Sequence, residues 1–147
     1  MSANANIVIN IAVDAARVYG SAPGMYKGDG IYMMDNNVAR GSSGEGTLEL
    51  DTEGFTGQSV AFNVFVINEE QNNGAQAVIE GMEQSSGTNV FGNQGWPQKQ
   101  PAGSEYQFLG VIKYEGSMTY QLKIGVTSGS LFPMQYYTWD PFFTVKS

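Results

Sequence analysis

The 147-residue chain contains no histidine and no cysteine, and only 14% of it is charged. Without imidazole, no side chain has an ordinary pKa between pH 5 and 8. Without a thiol there is no thiolate nucleophile, no disulfide and no soft-metal ligand. A serine nucleophile would lack its usual base, and no Ser-x-x-Lys occurs. The glycine-rich stretches lack the Gly-Lys-Ser/Thr ending of a phosphate loop. The absence of cysteine fits a reducing compartment, so a cytoplasmic location is expected. No basic segment precedes the apolar stretch Ile7–Val13, and Asn10 interrupts it, so no secretory signal is expected. No run approaches the roughly 20 apolar residues of a membrane helix.

The scarcity of charge also shapes the surface. An ordinary domain carries about 25% charged residues; here Asn, Gln, Ser and 19 glycines take their place. Such a surface repels its own copies weakly, which favours self-association or sugar binding. The net charge of −7 keeps the chain soluble. The seven basic residues (Arg17, Lys27, Arg40, Lys99, Lys113, Lys123, Lys146) form no patch, so a nucleic-acid partner is not expected.

What the chain has is alternation. Ile7, Ile9, Ile11 and Val13 share one face of a first strand, the period-2 signal of a half-buried strand. Asp14–Tyr19 fits one helical turn. Ile31–Met34 and Thr47–Leu50 read as short strands, Asp35-Asn36-Asn37 as a turn, and Val38–Arg40 as the return of a hairpin. Ser59–Ile67 is apolar on both faces and belongs at the centre of a sheet. Asn68–Gly74 is a polar turn, Ala75–Met82 another strand, and Ser85–Ser104 a long loop rich in glycine and proline. Glu115-Gly116-Ser117 reads as the turn of a hairpin joining Tyr106–Tyr114 to Met118–Val126. The tail Phe132–Val145 is aromatic and interrupted by Pro133 and Pro141. Residues 1–147 are therefore predicted to form a single all-β domain: an antiparallel β-sandwich, jelly-roll-like, of about eight strands. Its edge strands and N-terminal segment are candidate contacts between copies.

Candidate sites follow from exposed aromatics and amides. Trp96 lies in the long loop beside Asn93 and Gln94, whose amides suit sugar hydroxyls. It either anchors that loop on the sandwich edge or offers its ring to a ligand. Tyr136 and Tyr137 are further candidates for a ligand or an interface, and Tyr19 and Tyr26 are further rings that could stack on a sugar. Calcium takes six to eight oxygens, for which Asp29, Asp35, Asn36 and Asn37 form one local cluster and Glu69, Glu70 and Asn72 another. Turn chemistry and solvated charge explain both clusters equally well, and no cofactor is required. Paired carboxylates hydrolyse glycosides, but nothing selects a pair among the 14 acids. An enzyme is not expected. In Trp139-Asp140-Pro141, Asp140 is read as a cap for local N–H groups and Pro141 as the fixed point of a strand bend. Trp139, Phe142 and Phe143 seal one end of the sandwich.

The closing run Tyr136-Tyr137-Thr138-Trp139-Asp140-Pro141-Phe142-Phe143 resembles the end of the bacterial PixA/AidA family of inclusion-body proteins. Other landmarks recur in the same order: Ile9-Asn10-Ile11-Ala12-Val13-Asp14, Tyr32-Met33, Gly44-Glu45-Gly46-Thr47-Leu48-Glu49-Leu50 and Gly57-Gln58-Ser59-Val60. The resemblance implies a small cytoplasmic β-sandwich that accumulates as protein inclusions, with no catalytic residues to carry over. The expected function is thus non-enzymatic self-assembly into ordered intracellular inclusions or crystals, the partner being the chain itself. The alternative is a lectin-like carbohydrate-binding module using loop aromatics and amides, with or without Ca²⁺.

Overall fold

The computed structural model describes residues 5–67, 74–129 and 131–147. The second calcium cluster (Glu69, Glu70, Asn72), most of the Asn68–Gly74 turn and the first four residues lie outside them. No helix among the described residues is long and apolar enough to cross a membrane.

Two sheets face each other. The first contains β1 (Ile7–Val13), β3 (Ile31–Asp35), β5 (Ser59–Val66), β7 (Gln98–Lys99) and β8 (Phe108–Val111), in the order β3-β1-β5-β8-β7. The second contains β2 (Gly24–Met25), β4 (Asp51–Phe55), β6 (Gln76–Gly87), β9 (Gly116–Thr127), β10 (Gln135–Trp139) and β11 (Phe142–Lys146). Two short helices, α1 (Ala15–Val18) and α2 (Gly92–Gly95), lie in connections. The all-β sandwich is as expected, with eleven strands among the described residues rather than about eight. From β1 to β6 the chain alternates between the sheets with every strand. Such crossing returns some strands in the same direction as their neighbours, so β1–β5, β2–β10 and β4–β11 are parallel while the other six ladders are antiparallel.

Alternation places the core. Ile7, Ile9, Ile11 and Val13 of β1 are buried, as are Val60, Phe62, Val64 and Val66 of β5, which is an interior strand. From the second sheet come Met118, Tyr120, Leu122, Ile124 and Val126 of β9. Phe62, Tyr120, Phe143 and Phe91 form an aromatic cluster with centroid separations of 5.0–6.3 Å. These offset and edge-on contacts suit the ring quadrupoles.

Several local readings need correction. Glu115-Gly116-Ser117 is not a hairpin turn: β8 pairs with β5 in the first sheet, whereas β9 belongs to the second. The Lys113 and Tyr114 N–H groups instead donate to the Val90 carbonyl (2.8 and 3.0 Å). Buried Ile112 holds the crossing in place. Val38–Arg40 is a 3-10 turn, not a returning strand. Thr47–Leu50 forms no strand: Thr47 makes an isolated bridge to Met33, Leu48 and Glu49 turn, and β4 starts after the buried Leu50. Strand β6 runs five residues past Met82 because β9 templates it, with register shifts between Ile79 and Gly81 and between Gln84 and Ser86. Such shifts are β-bulges, which bend a strand. Asp14 caps α1 as a helical turn requires, accepting the Arg17 N–H.

Candidate functional site

Three surface features carry the candidate side chains. The first surrounds Trp96. The Asn89 side chain accepts the Phe91 and Gly92 N–H groups (3.2 and 3.0 Å) and so starts α2. Phe91 is buried, and the Trp96 ring stands edge-on to it at 5.6 Å. Gly95 and Gly110 let the loop lie directly on β8: a Cβ on Gly110 would meet the Gly95 carbonyl at 2.7 Å, and one on Gly95 would collide with the Val111 carbonyl. Trp96 therefore packs one edge against the buried base of its own loop. It also remains half-buried and lines a shallow groove of about 390 Å³ with Asn93, Asn89, Gln84, Glu83 and Gln98. Gln94 is exposed and lies outside this groove.

The second feature separates Tyr136 from Tyr137. Successive residues of a strand point to opposite faces. Tyr137 is buried, stands edge-on to Tyr26 at 5.5 Å, and donates to Gln135 Oε1 at 2.8 Å with the Ser21 carbonyl at 3.1 Å. Burial pushes its phenol above the usual tyrosine range. It is a core residue and presents no face to a ligand. Tyr136 is 40% exposed, with Lys123 Nζ 5.2 Å from its ring centre. Register places Tyr136 and exposed Val78 on either side of Gly125. A Cβ there would meet Met134 Sδ at 2.5 Å and Tyr136 Cε1 at 3.1 Å, so the glycine is the floor on which both side chains rest. Nearby in sequence, Leu131 is 93% and Phe132 57% exposed. Their loop is held: the Thr127 hydroxyl lies 2.8 and 2.9 Å from the Gly129 and Phe132 carbonyls, and Phe132 packs on Tyr19 at 6.0 Å.

The third feature is the Trp139-Asp140-Pro141 motif. β10 and β11 run along β9 in one unbroken register, with Trp139 opposite Leu122 and Phe142 opposite Thr119. The Pro141 carbonyl accepts the Tyr120 N–H at 3.0 Å. The interruption thus marks a change of outer neighbour, from β2 to β4, while contact with β9 continues. Trp139 and Phe143 enter the core and Phe142 is half-buried on the other face. The Trp139 indole N–H is 3.1 Å from Met33 Sδ. Asp140 does not cap: among the described residues no hydrogen bond involves its carboxylate, and Oδ1 is buried without a partner. Beside it opens a cleft of about 620 Å³ that includes Tyr26, Tyr32, Leu48 and Trp139. Sequence reasoning named Tyr26, Trp139 and Asp140 but did not join them, because the walls come from three separated segments.

The first calcium cluster is dispersed by its own contacts. Asp29 binds Arg17 through both carboxylate oxygens (2.6 and 2.7 Å), which holds its pKa below the usual aspartate range. Asp35 accepts the Thr52 hydroxyl and the Asn37 N–H, and Asn36 accepts the Val8 N–H. The Asn37 amide donates to the Glu53 carbonyl. Beside Asp35, burial and the Asp35 charge raise the Glu45 carboxyl, opposed by the hydrogen bond it accepts from the Asp35 N–H. Among the described residues no three acidic side chains are grouped to hold a metal.

The family model described as "Domain of unknown function (DUF8788)" matches residues 5–130. Comparison with curated proteins gives no match. Among solved structures, the chain is similar to the inclusion body protein PixA from Burkholderia cenocepacia J2315, with a TM-score of 0.74 and 20% identity. That likeness covers 99% of this chain and 98% of the other. The chain therefore belongs to the family described as a domain of unknown function (DUF8788), and it has the fold of the PixA inclusion body protein.

Proposed function

We propose that this chain is a non-enzymatic protein that assembles with copies of itself into ordered inclusions or crystals in the cytoplasm. The observation that carries the reading is the fold shared with an inclusion body protein from end to end of both chains. Its surface supports it. Leu131 and Phe132 stand in solvent on a hydrogen-bonded loop, and Tyr136 and Val78 expose apolar area on the outer face of the second sheet. Placing such side chains against a neighbouring copy removes apolar area from water at about 25 cal/mol per Å². Contacts between unlike patches propagate into filaments or lattices, whereas self-complementary ones close. With no cysteine the assembly is reversible and noncovalent, and with no histidine it has no imidazole switch near pH 7.

The test is light scattering across a concentration series, with electron microscopy of overexpressing cells. Growth of large particles, and their loss in Leu131→Asp with the fold retained, is the expected result. A monomer at millimolar concentration together with cells free of inclusions overturns the proposal.

A second reading rests on the groove beside Trp96, where an aromatic edge meets the amides of Asn93, Asn89, Gln84 and Gln98. This is the chemistry of a lectin-like sugar site. A glycan array probed with and without Ca²⁺, and repeated with Trp96→Ala, decides it. No glycan bound in either condition removes this reading.

A further inference from the structure

Independently of assembly, the structure assigns a binding site for a small organic ammonium ion, with an apolar body, to the cleft beside Asp140. The site begins as a gap in the second sheet. On the outer edge of the last long strand, the ladder with β2 ends where the Tyr26 N–H donates to the Thr138 carbonyl (2.8 Å). The ladder with β4 begins where the Phe142 N–H donates to the Leu50 carbonyl (2.9 Å). Between these bonds, no strand among the described residues borders the outer edge at Trp139, Asp140 and Pro141. Because the Pro141 carbonyl is directed at β9, the alternation of a strand turns the Asp140 backbone groups toward the gap.

The gap opens into the cleft of about 620 Å³. This is the size of a small-molecule pocket, which is generally apolar with a few polar groups that fix orientation. Tyr26, Tyr32, Leu48 and Trp139 supply the apolar walls. Several polar groups near the cleft are already engaged. The Trp139 N–H points to Met33 Sδ, the Tyr26 hydroxyl donates to the Asp29 carbonyl, and the Asp29 carboxylate is neutralised by Arg17. Asp140 differs: among the described residues its Oδ1 is buried without a partner, whereas Glu49 and Lys27 of the same lining are exposed to water. A buried acceptor without a donor is costly and is a reason to look for the group that completes it. Lys27 at the rim does not do so: among the described residues the ion pair is Arg17–Asp29. The missing complement is a donor, cationic to match a carboxylate, on a body that covers aromatic and aliphatic walls.

The experiment uses the full chain carrying Trp96→Phe, which leaves Trp139 as the sole tryptophan and does not touch the cleft. 2-Phenylethylamine is titrated with tryptophan fluorescence and calorimetry as readouts. 2-Phenylethanol and 3-phenylpropionate serve as the neutral and anionic counterparts. The expected result is saturable binding of the amine, at least tenfold weaker binding of both counterparts, and at least a tenfold loss with Asp140→Asn. Leu48→Phe, which narrows the cleft without touching the carboxylate, also weakens the amine and serves if Asp140→Asn does not fold. No amine binding at 10 mM, equal binding of the three probes, or unchanged binding in folded Asp140→Asn overturns the assignment.

Discussion

Replacing Trp139 by alanine tests the role of the closing motif most directly. Trp139 is 2% exposed in the core. A tryptophan of this kind buries about 150–250 Å². At about 25 cal/mol per Å² this corresponds to about 4–6 kcal/mol. Measured Trp→Ala changes in cores run to about 3–5 kcal/mol, because neighbours collapse partly into the hole. The loss of the N–H contact to Met33 Sδ adds little, as thioether sulfur is a weak acceptor. The expected loss is therefore about 4 kcal/mol, a large part of the roughly 5–15 kcal/mol that holds a domain together. At roughly 2–4 °C per kcal/mol, Tm falls by roughly 8–16 °C. Scanning calorimetry and urea denaturation measure it, with Trp139→Phe as a milder companion that keeps a ring in the core. A tryptophan serving as a surface platform would shift stability by about 0.5 kcal/mol or less on removal. An unchanged Tm in Trp139→Ala would refute the core assignment.

Three further substitutions probe the surroundings. Tyr120 is buried with a hydroxyl that has no partner among the described residues, and burial pushes its phenol well above the usual range. Tyr120→Phe is thus expected to stabilise the fold by about 1 kcal/mol, and a fall in Tm would show that the hydroxyl is satisfied in solution. For Glu45, burial is the largest cause of a raised carboxyl pKa. The folded state then holds that proton more tightly than the unfolded chain, and this contribution is lost as pH rises through the folded pKa. Glu45→Gln should gain on the parent protein between pH 3.5 and 7, and a difference in Tm that stays flat over that range would exclude the coupling. Gly95→Ala drives a Cβ into the Val111 carbonyl. Because Gly95 is buried and the atom it would meet is backbone, the Trp96 loop must move off β8. Tm should fall and tryptophan emission should change, and an unchanged Tm and emission would show that the loop tolerates the methyl.

Much of the fold was legible because alternation survives in the strands that pack on both sides. Ile7–Val13 and Ser59–Val66 carry their burial pattern in plain sight, and both lie in sheet interiors. The partners of those strands were not legible. A glycine-centred turn between two alternating runs looks the same whether the chain folds back in one sheet or crosses to the other. What distinguishes Glu115-Gly116-Ser117 is the bonding of Lys113 and Tyr114 to Val90, a contact made across 23 and 24 residues. The candidate residues divide similarly. Trp96 stayed open between a loop anchor and a ligand face in the sequence, and Tyr136 and Tyr137 could be ranked only once the core face of β10 was known.

The same distinction explains why Trp139-Asp140-Pro141 reads as a bend and behaves otherwise. Three consecutive residues here answer three different neighbours. Trp139 faces the core, Pro141 directs its carbonyl to β9, and Asp140 sits at the break between β2 and β4. Proline normally avoids sheet interiors because it cannot donate to the ladder. In this strand it stands opposite Tyr120 and accepts one bond from it, while the reciprocal donor is missing. The retained register on either side shows that one lost bond does not detach the strand, since ten flanking residues continue in β10 and β11. The motif therefore does not terminate a sheet. It marks the point where one long strand exchanges its outer partner, and the opening left by that exchange places an unpaired carboxylate beside an apolar cleft.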